Sequence, residues 1–229
     1  MIITANRASA VLYSFLKSKA FSRPFLLPAN ACPVVPLSFL KAGVDFEFVD
    51  IDETHAMSQE QAKEKIASGK YGGLVFIHAY GKRFNNSAFY QELKEYNPDV
   101  YIIDDRCLCP PELTGEQPDN TDLVLYSTGY AKYVELLLGG FGVTPSVINL
   151  FSDHGFSEED ESRQQDYIKT CLRDGRSYEL PADYPWLNGS SLPMEQEAYF
   201  DRIREMMTDV RKQRSRINQI YRSHLPETI

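Results

Sequence analysis

The first 145 residues alternate short apolar runs with amphipathic stretches. Runs at Phe25–Leu27, Phe46–Val49, Leu74–Ile77, Val100–Ile103 and Leu123–Tyr126 are of strand length and bounded by turn residues. Between them, apolar positions recur at helical spacing and predict helices over Ser9–Lys17, Pro33–Lys41, Gln59–Ile66 and Ser87–Tyr96. Ser58-Gln-Glu-Gln61 reads as a capping box, and Asn86 is a suitable cap for the helix that follows it. Strands alternating with helices imply an α/β fold: a mostly parallel sheet flanked by helices on both faces, with a C-terminal helical extension. In such sheets ligands gather at the carboxyl ends of the strands.

Beyond Val147 the pattern changes. Ser157-Glu-Glu-Asp-Glu161 has the acidic character of a first helical turn, in a helix reaching about Arg173. Tyr184-Pro-Trp-Leu-Asn-Gly189 reads as a loop or turn. Met194 to about His224 predicts one long amphipathic helix, with Ile203, Met206, Val210, Ile217 and Ile220 on one stripe. Its basic cluster, Arg211, Lys212, Arg214, Arg216 and Arg222, could attract an anion, but a solvated helix face is the simpler reading. The expected division is a core over 1–150 and a helical completion with a connector helix over 151–229.

Composition narrows the classes. Hydrophobic residues make up 43% and charged residues 24% of 229, as in an ordinary soluble globular protein. A formal charge of −8 argues against nucleic acid as a partner. No apolar run approaches a membrane span and the N-terminus lacks signal-peptide character, so a cytoplasmic protein is expected. The four cysteines have no disulfide-framework spacing. Cys107-x-Cys109 lacks a second Cys/His pair, so no metal is expected and small thiols beside a site are the better reading.

The candidate chemistry lies in Leu123 to Gly142 and just upstream. A short apolar strand is followed by Ser127, a single Lys132 five residues later, and then glycines. Asp105 stands 27 positions before Lys132, in Ile-Ile-Asp-Asp, with Asp104 as the competing acid. An amine able to hold an aldehyde and a carboxylate able to keep a ring nitrogen protonated are what pyridoxal phosphate (PLP) requires.

Several ordered pieces then resemble the DegT/DnrJ/EryC1/StrS family of PLP-dependent sugar aminotransferases, of the aspartate-aminotransferase fold. They are Asn6-Arg-Ala-Ser-Ala10, Leu27-Pro-Ala-Asn-Ala-Cys-Pro33, Ala42-Gly43 with Glu47-Phe-Val-Asp-Ile-Asp52, Phe76-Ile-His-Ala-Tyr-Gly81, Ile103-Asp-Asp105, and Asp122 and Ser127 before Lys132. Together they span roughly residues 5 to 145, and the resemblance implies a PLP-binding large domain with most of the small C-terminal domain lacking. It implies Lys132 as the Schiff-base lysine and Asp105, rather than Asp104, as the partner of the ring nitrogen. A one-residue slip would reverse that choice. Ser127 and the backbone N–H groups around Ala8 and Ser9 would hold the phosphate, with Arg7 nearby. His78 would lie under or beside the ring and shape the pocket. Cys32 stands where many relatives place a stacking aromatic, so either the loop differs or Asn30 or Tyr80 covers that face, and Leu108 replaces a polar residue. The implied reaction moves an amino group from an amino acid to a nucleotide-linked keto-sugar, in a homodimer. Asn188 would be a cross-subunit phosphate ligand or an ordinary turn asparagine. The alternatives are a degenerate PLP-fold protein without transaminase activity, or a PLP enzyme of another reaction type such as a lyase or racemase.

Overall fold

Among the described residues, seven strands form from runs of four or five residues: β1 (Ile2–Ala5), β2 (Phe25–Pro28), β3 (Phe46–Val49), β4 (Gly73–Ile77), β5 (Tyr101–Asp105), β6 (Leu123–Ser127) and β7 (Gly140–Val143). Among the described residues, six α-helices accompany them: α1 (Ala8–Lys17), α2 (Val34–Ala42), α3 (Gln59–Ala67), α4 (Ser87–Tyr96), α5 (Glu158–Arg173) and α6 (Gln196–His224). The computed structural model describes residues 1–151, 158–177 and 191–225. Ser157 and the Tyr184–Gly189 turn, with Asn188, fall outside the described residues.

One sheet holds all seven strands, in the order β1-β7-β6-β5-β4-β2-β3. The pairs from β3 to β6 are parallel, whereas β7 is antiparallel to both β6 and β1. Six strands therefore point one way, and the carboxyl ends of β1, β5 and β6 meet the start of β7 at one edge. The expected mostly parallel sheet flanked by helices is present.

Hydrophobic patterning did not predict β1 or β7. Ile2-Ile3 is too short a run to stand out, and Gly-Phe-Gly-Val has glycine at alternate positions, a composition depleted in strands. Packing explains those glycines. A Cβ on Gly140 would lie 2.1 Å from the Ala8 backbone nitrogen, and one on Gly142 would lie 2.7 Å from Val11 Cγ1. Only a strand bare on that side lets α1 lie against it. β5 also runs two residues beyond its apolar stretch. Its pairings with β4 and β6 carry Asp104 and Asp105 into the ladder. Ser58 caps α3, its Oγ accepting the Gln61 N–H at 3.4 Å. Asn86 does not cap α4 with its side chain, which instead bonds Gln59 and the Tyr90 hydroxyl. Asn85 Oδ1 accepts the Ser87 N–H.

Apolar side chains cover both faces of the sheet. Phe25, Leu27, Val75, Ile103 and Leu125 pack beneath α1 and α2, while Leu26, Leu74, Phe76 and Ile102 face α3 and α4. On that second side Tyr126, Phe141 and Val143 receive Tyr199, Phe200 and Ile203 from the start of α6. The expected apolar stripe of α6 is buried only there, because Met206 is 37% and Ile220 51% exposed.

A buried ionic network ties the carboxyl ends of β4, β5 and β6 together on this second side. Phe84 N–H donates to His78 Nδ1, so the ring proton is on Nε2, which donates to Asp104 Oδ1 at 2.6 Å. Arg106 Nε and Nη2 reach Asp104 Oδ2 at 2.9 and 2.6 Å. Arg106 Nη1 donates to the Tyr126 hydroxyl and to Glu112, and Glu112 also takes both Nη groups of Arg83. Burial alone would raise the Asp104 carboxyl, but the His78 hydrogen bond and the Arg106 charge outweigh it and hold the group below the ordinary carboxylate value. Burial pushes the Tyr126 phenol up to about 12 against the opposing Arg106 charge.

Asp104→Ala is expected to cost about 3–5 kcal/mol at neutral pH, measured by urea denaturation, because His78 and Arg106 lose a buried partner. The native carboxyl ionises below its unfolded value of about 3.9. Its contribution is therefore complete above about pH 4 and disappears as pH falls through the native value, so the gap between the two proteins should narrow on acidification. Gly140→Ala should cost about 3 kcal/mol in the same assay, since the added methyl meets backbone rather than a movable side chain.

Candidate functional site

A cavity of about 180 Å³ opens at the carboxyl edge of the sheet, between the ends of β5 and β6, the start of α1 and the start of α2. Strand alternation decides what enters it. Leu125 and Ser127 share one face of β6, and Asp105 pairs with Leu125 across the ladder on the same face. Asp104 faces the opposite side and is committed to His78 and Arg106.

Asp105 is 7% exposed. Its Oδ1 accepts the Cys107 N–H at 2.9 Å, and no cation among the described residues pairs with it. Burial and the Asp105 charge push the Cys107 thiol well above its ordinary value, only partly offset by Lys132. Cys107 therefore stays a neutral thiol at neutral pH and does not compete as a nucleophile.

Ser127 Oγ accepts the Gly129 N–H at 3.3 Å, which leaves its own proton available to a ligand. Opposite it, Arg7, Ala8 and Ser9 line the cavity at the start of α1, and no side chain caps that helix. Backbone N–H groups at a helix start favour an anion. Gly139 N–H donates to Asn6 O, and Gly140 pairs with both Ala5 and Ser127, so the turn, β7 and β6 are locked side by side.

Lys132 enters from the loop between β6 and β7. The loop is tied at its base: Leu136 N–H donates to Thr128 O at 2.8 Å, and Thr128 Oγ1 donates to Leu138 O at 2.6 Å. Tyr199 of α6 bonds the same Oγ1 at 2.7 Å. Ala131 and Leu137 adopt left-handed backbone angles, φ 56° and 63°, which disfavour residues with a Cβ by about 1–2 kcal/mol each. The Ala131 N–H bond to the Glu135 carboxylate helps hold that turn. Lys132 is half-buried, and among the described residues it has no hydrogen-bond or ion-pair partner. An ordinary structural lysine so placed would be expected to find a carboxylate or reach water fully.

The structure thus brings together Lys132, Asp105, Ser127, Ala8, Ser9 and Cys32, all lining one cavity. It does not bring His78 there. His78 follows Phe76 on the far face, and Phe76 pairs with Asp104 rather than Asp105. Asn30 and Tyr80 do not line the cavity either. Asn30 bonds His55 O, and Tyr80 packs edge-on against the His55 ring. Tyr130, 74% exposed, stands at the cavity instead and was not singled out by sequence. Arg106 was also missed. An arginine two positions after Asp104 shares its side of an extended segment, and that spacing was the available signal.

No protein-family model and no curated protein matches the chain. Its fold is similar to several solved structures. One is an assigned PLP-dependent aminotransferase of Bacillus cereus, 18% identical over 97% of this chain and 57% of that one, with a TM-score of 0.63. Another is the Helicobacter pylori aminotransferase involved in pseudoaminic acid biosynthesis, 13% identical over 91% and 53%, with a TM-score of 0.57. A third is the E. coli GDP-4-keto-6-deoxy-D-mannose-3-dehydratase with bound hydrated PLP, 16% identical over 63% and 39%, with a TM-score of 0.54. The chain spans 57% or less of the length of each of these proteins. At these identities the likeness establishes a shared fold, that of the PLP-dependent aminotransferases.

Proposed function

We propose that the cavity binds PLP and that the chain is an aminotransferase passing an amino group from an amino acid to a nucleotide-linked keto-sugar. One observation carries this reading: a lysine and a buried acid that, among the described residues, have no ion-pair partner, and a helix start without a side-chain cap facing the Ser127 hydroxyl, surround a single cavity. Those three features fit the three polar ends of PLP. When bound, that cofactor supplies an aldehyde for amines and a ring that accepts electrons.

Each residue then has a task. Asp105 would face the ring nitrogen and favour its protonated form, with the Cys107 N–H fixing the carboxylate's orientation. Ser127 Oγ–H and the backbone N–H groups around Ala8 and Ser9 would hold the phosphate. Lys132 Nζ would hold the aldehyde and would be the base that moves the substrate proton. Thr128 and Tyr199 fix the base of the loop from which Lys132 reaches in. The sugar acceptor and the homodimer rest on the family resemblance, and a cytoplasmic location rests on the lack of a membrane-span run or signal-peptide pattern in the sequence. Among the described residues, no helix is long and apolar enough to cross a membrane.

A second reading keeps the cofactor and changes the reaction. The likeness to a 3-dehydratase favours it, because the same fold there serves a different outcome. Amino-group transfer and elimination differ in products, so glutamate with a keto-sugar separates them.

The test is the visible spectrum of the purified chain after PLP addition and dialysis, beside Lys132→Ala. A retained band that is absent from Lys132→Ala and responds to glutamate is expected. No band in either protein would overturn the proposal and leave a degenerate relative of the fold. Ser127→Ala should weaken PLP retention about tenfold, the loss of one charge-assisted hydrogen bond, measured by equilibrium dialysis.

A further inference from the structure

The basic side of α6 is solvent-exposed, and part of it lines a groove. Arg211, Arg214, Asn218 and Arg222 recur at intervals of three or four residues and share one side of the helix. With Tyr133, from the loop that also carries Lys132, they line a groove of about 450 Å³. Among the described residues, no acidic residue lines it.

Among the described residues of α6, Arg204 pairs with Asp201 one turn away, while Arg202, Lys212 and Arg216 have no ion pair; the arginines at 211, 214 and 222 are distinguished by lining one groove. Among the described residues, neither Arg211 nor Arg222 has a carboxylate partner. Arg214 has none either and lies over the Tyr133 ring, 4.5 Å from its centroid. Three uncompensated guanidinium groups facing one groove would repel one another, in a chain whose net charge is −8. An anion in the groove removes that repulsion.

We infer that this groove binds a small molecule carrying two or more phosphate groups. The guanidinium fork matches phosphate oxygens two at a time, and Asn218 adds an amide donor. Arg211 and Arg222 are eleven residues apart, about 16 Å of helix, so their side chains can close on a di- or triphosphate but not on one compact anion. A long nucleic acid is disfavoured because the rest of the acidic surface repels it. Among the described residues the groove and the Lys132 cavity share no lining residue, so the inference stands independently of the proposed reaction.

The test is calorimetric titration of the full chain with inorganic pyrophosphate at low salt. The variants are Arg211→Gln/Arg222→Gln and, as a control for the Lys132 cavity, Ser127→Ala. Both arginines are exposed, so circular dichroism should show the helix retained. Binding that weakens at least tenfold in the arginine variant and is unchanged in Ser127→Ala is the expected result. Equal binding by wild type and the arginine variant, or loss only in Ser127→Ala, overturns the inference. So does arginine-dependent binding of a short RNA or of phosphatidylserine vesicles that pyrophosphate fails to displace, which would make the groove a macromolecular or membrane contact.

Discussion

Two adjacent carboxylates at the end of β5 have to face opposite sides of the sheet, and much of the site follows from what each side does with its acid. Asp104 is enclosed by His78 and Arg106, and through them it joins β4, β6 and the segments bearing Arg83 and Glu112. A network so buried costs desolvation energy that good geometry only offsets, so its contribution is better seen in position than in net stability. It holds the strand ends in register. Among the described residues Asp105 has no cation, and its neighbour in sequence anchors the backbone from behind.

The other wall depends on backbone proximity. Glycine at 140 lets β7 press against the start of α1, which places Ala8 and Ser9 opposite Ser127. The cavity is therefore framed by an ionic clamp on one side and by an absent side chain on the other. Between them the Lys132 loop spans left-handed turns at Ala131 and Leu137, the kind of local strain that persists only where surrounding contacts over-determine it.

The sequence made some of this readable and hid the rest for physical reasons. Helices α1 to α4 announced themselves by periodicity, and α4 was bounded as observed. Strands β1 and β7 did not, because one is too short and the other is half glycine. The acids of β5 were visible, but their facing depends on pairing with Phe76 and Ile77, which a single chain does not display. The same parity misdirected His78, which shares the Asp104 side. Lys132 and Ser127 were legible because an unusual order of residue types marked them. Tyr130 and the wall at Tyr133 depend on how a loop folds back, and no local pattern encodes that.

Helix α6 adds a different kind of consequence. Only its first two turns, through Tyr199, Phe200 and Ile203, are buried against the sheet, while every residue from Arg211 to Leu225 is exposed. A helix segment whose side chains are all exposed, with Arg214 over the Tyr133 ring as its tertiary contact among the described residues, relies mostly on its own propensity and on local side-chain contacts, which are marginal in water. Amide hydrogen exchange should therefore be graded along α6, slow near Tyr199 and rapid past Arg211. On warming, the outer helix would fray first, so the arginine groove and the Lys132 cavity belong to regions of the molecule with different lifetimes.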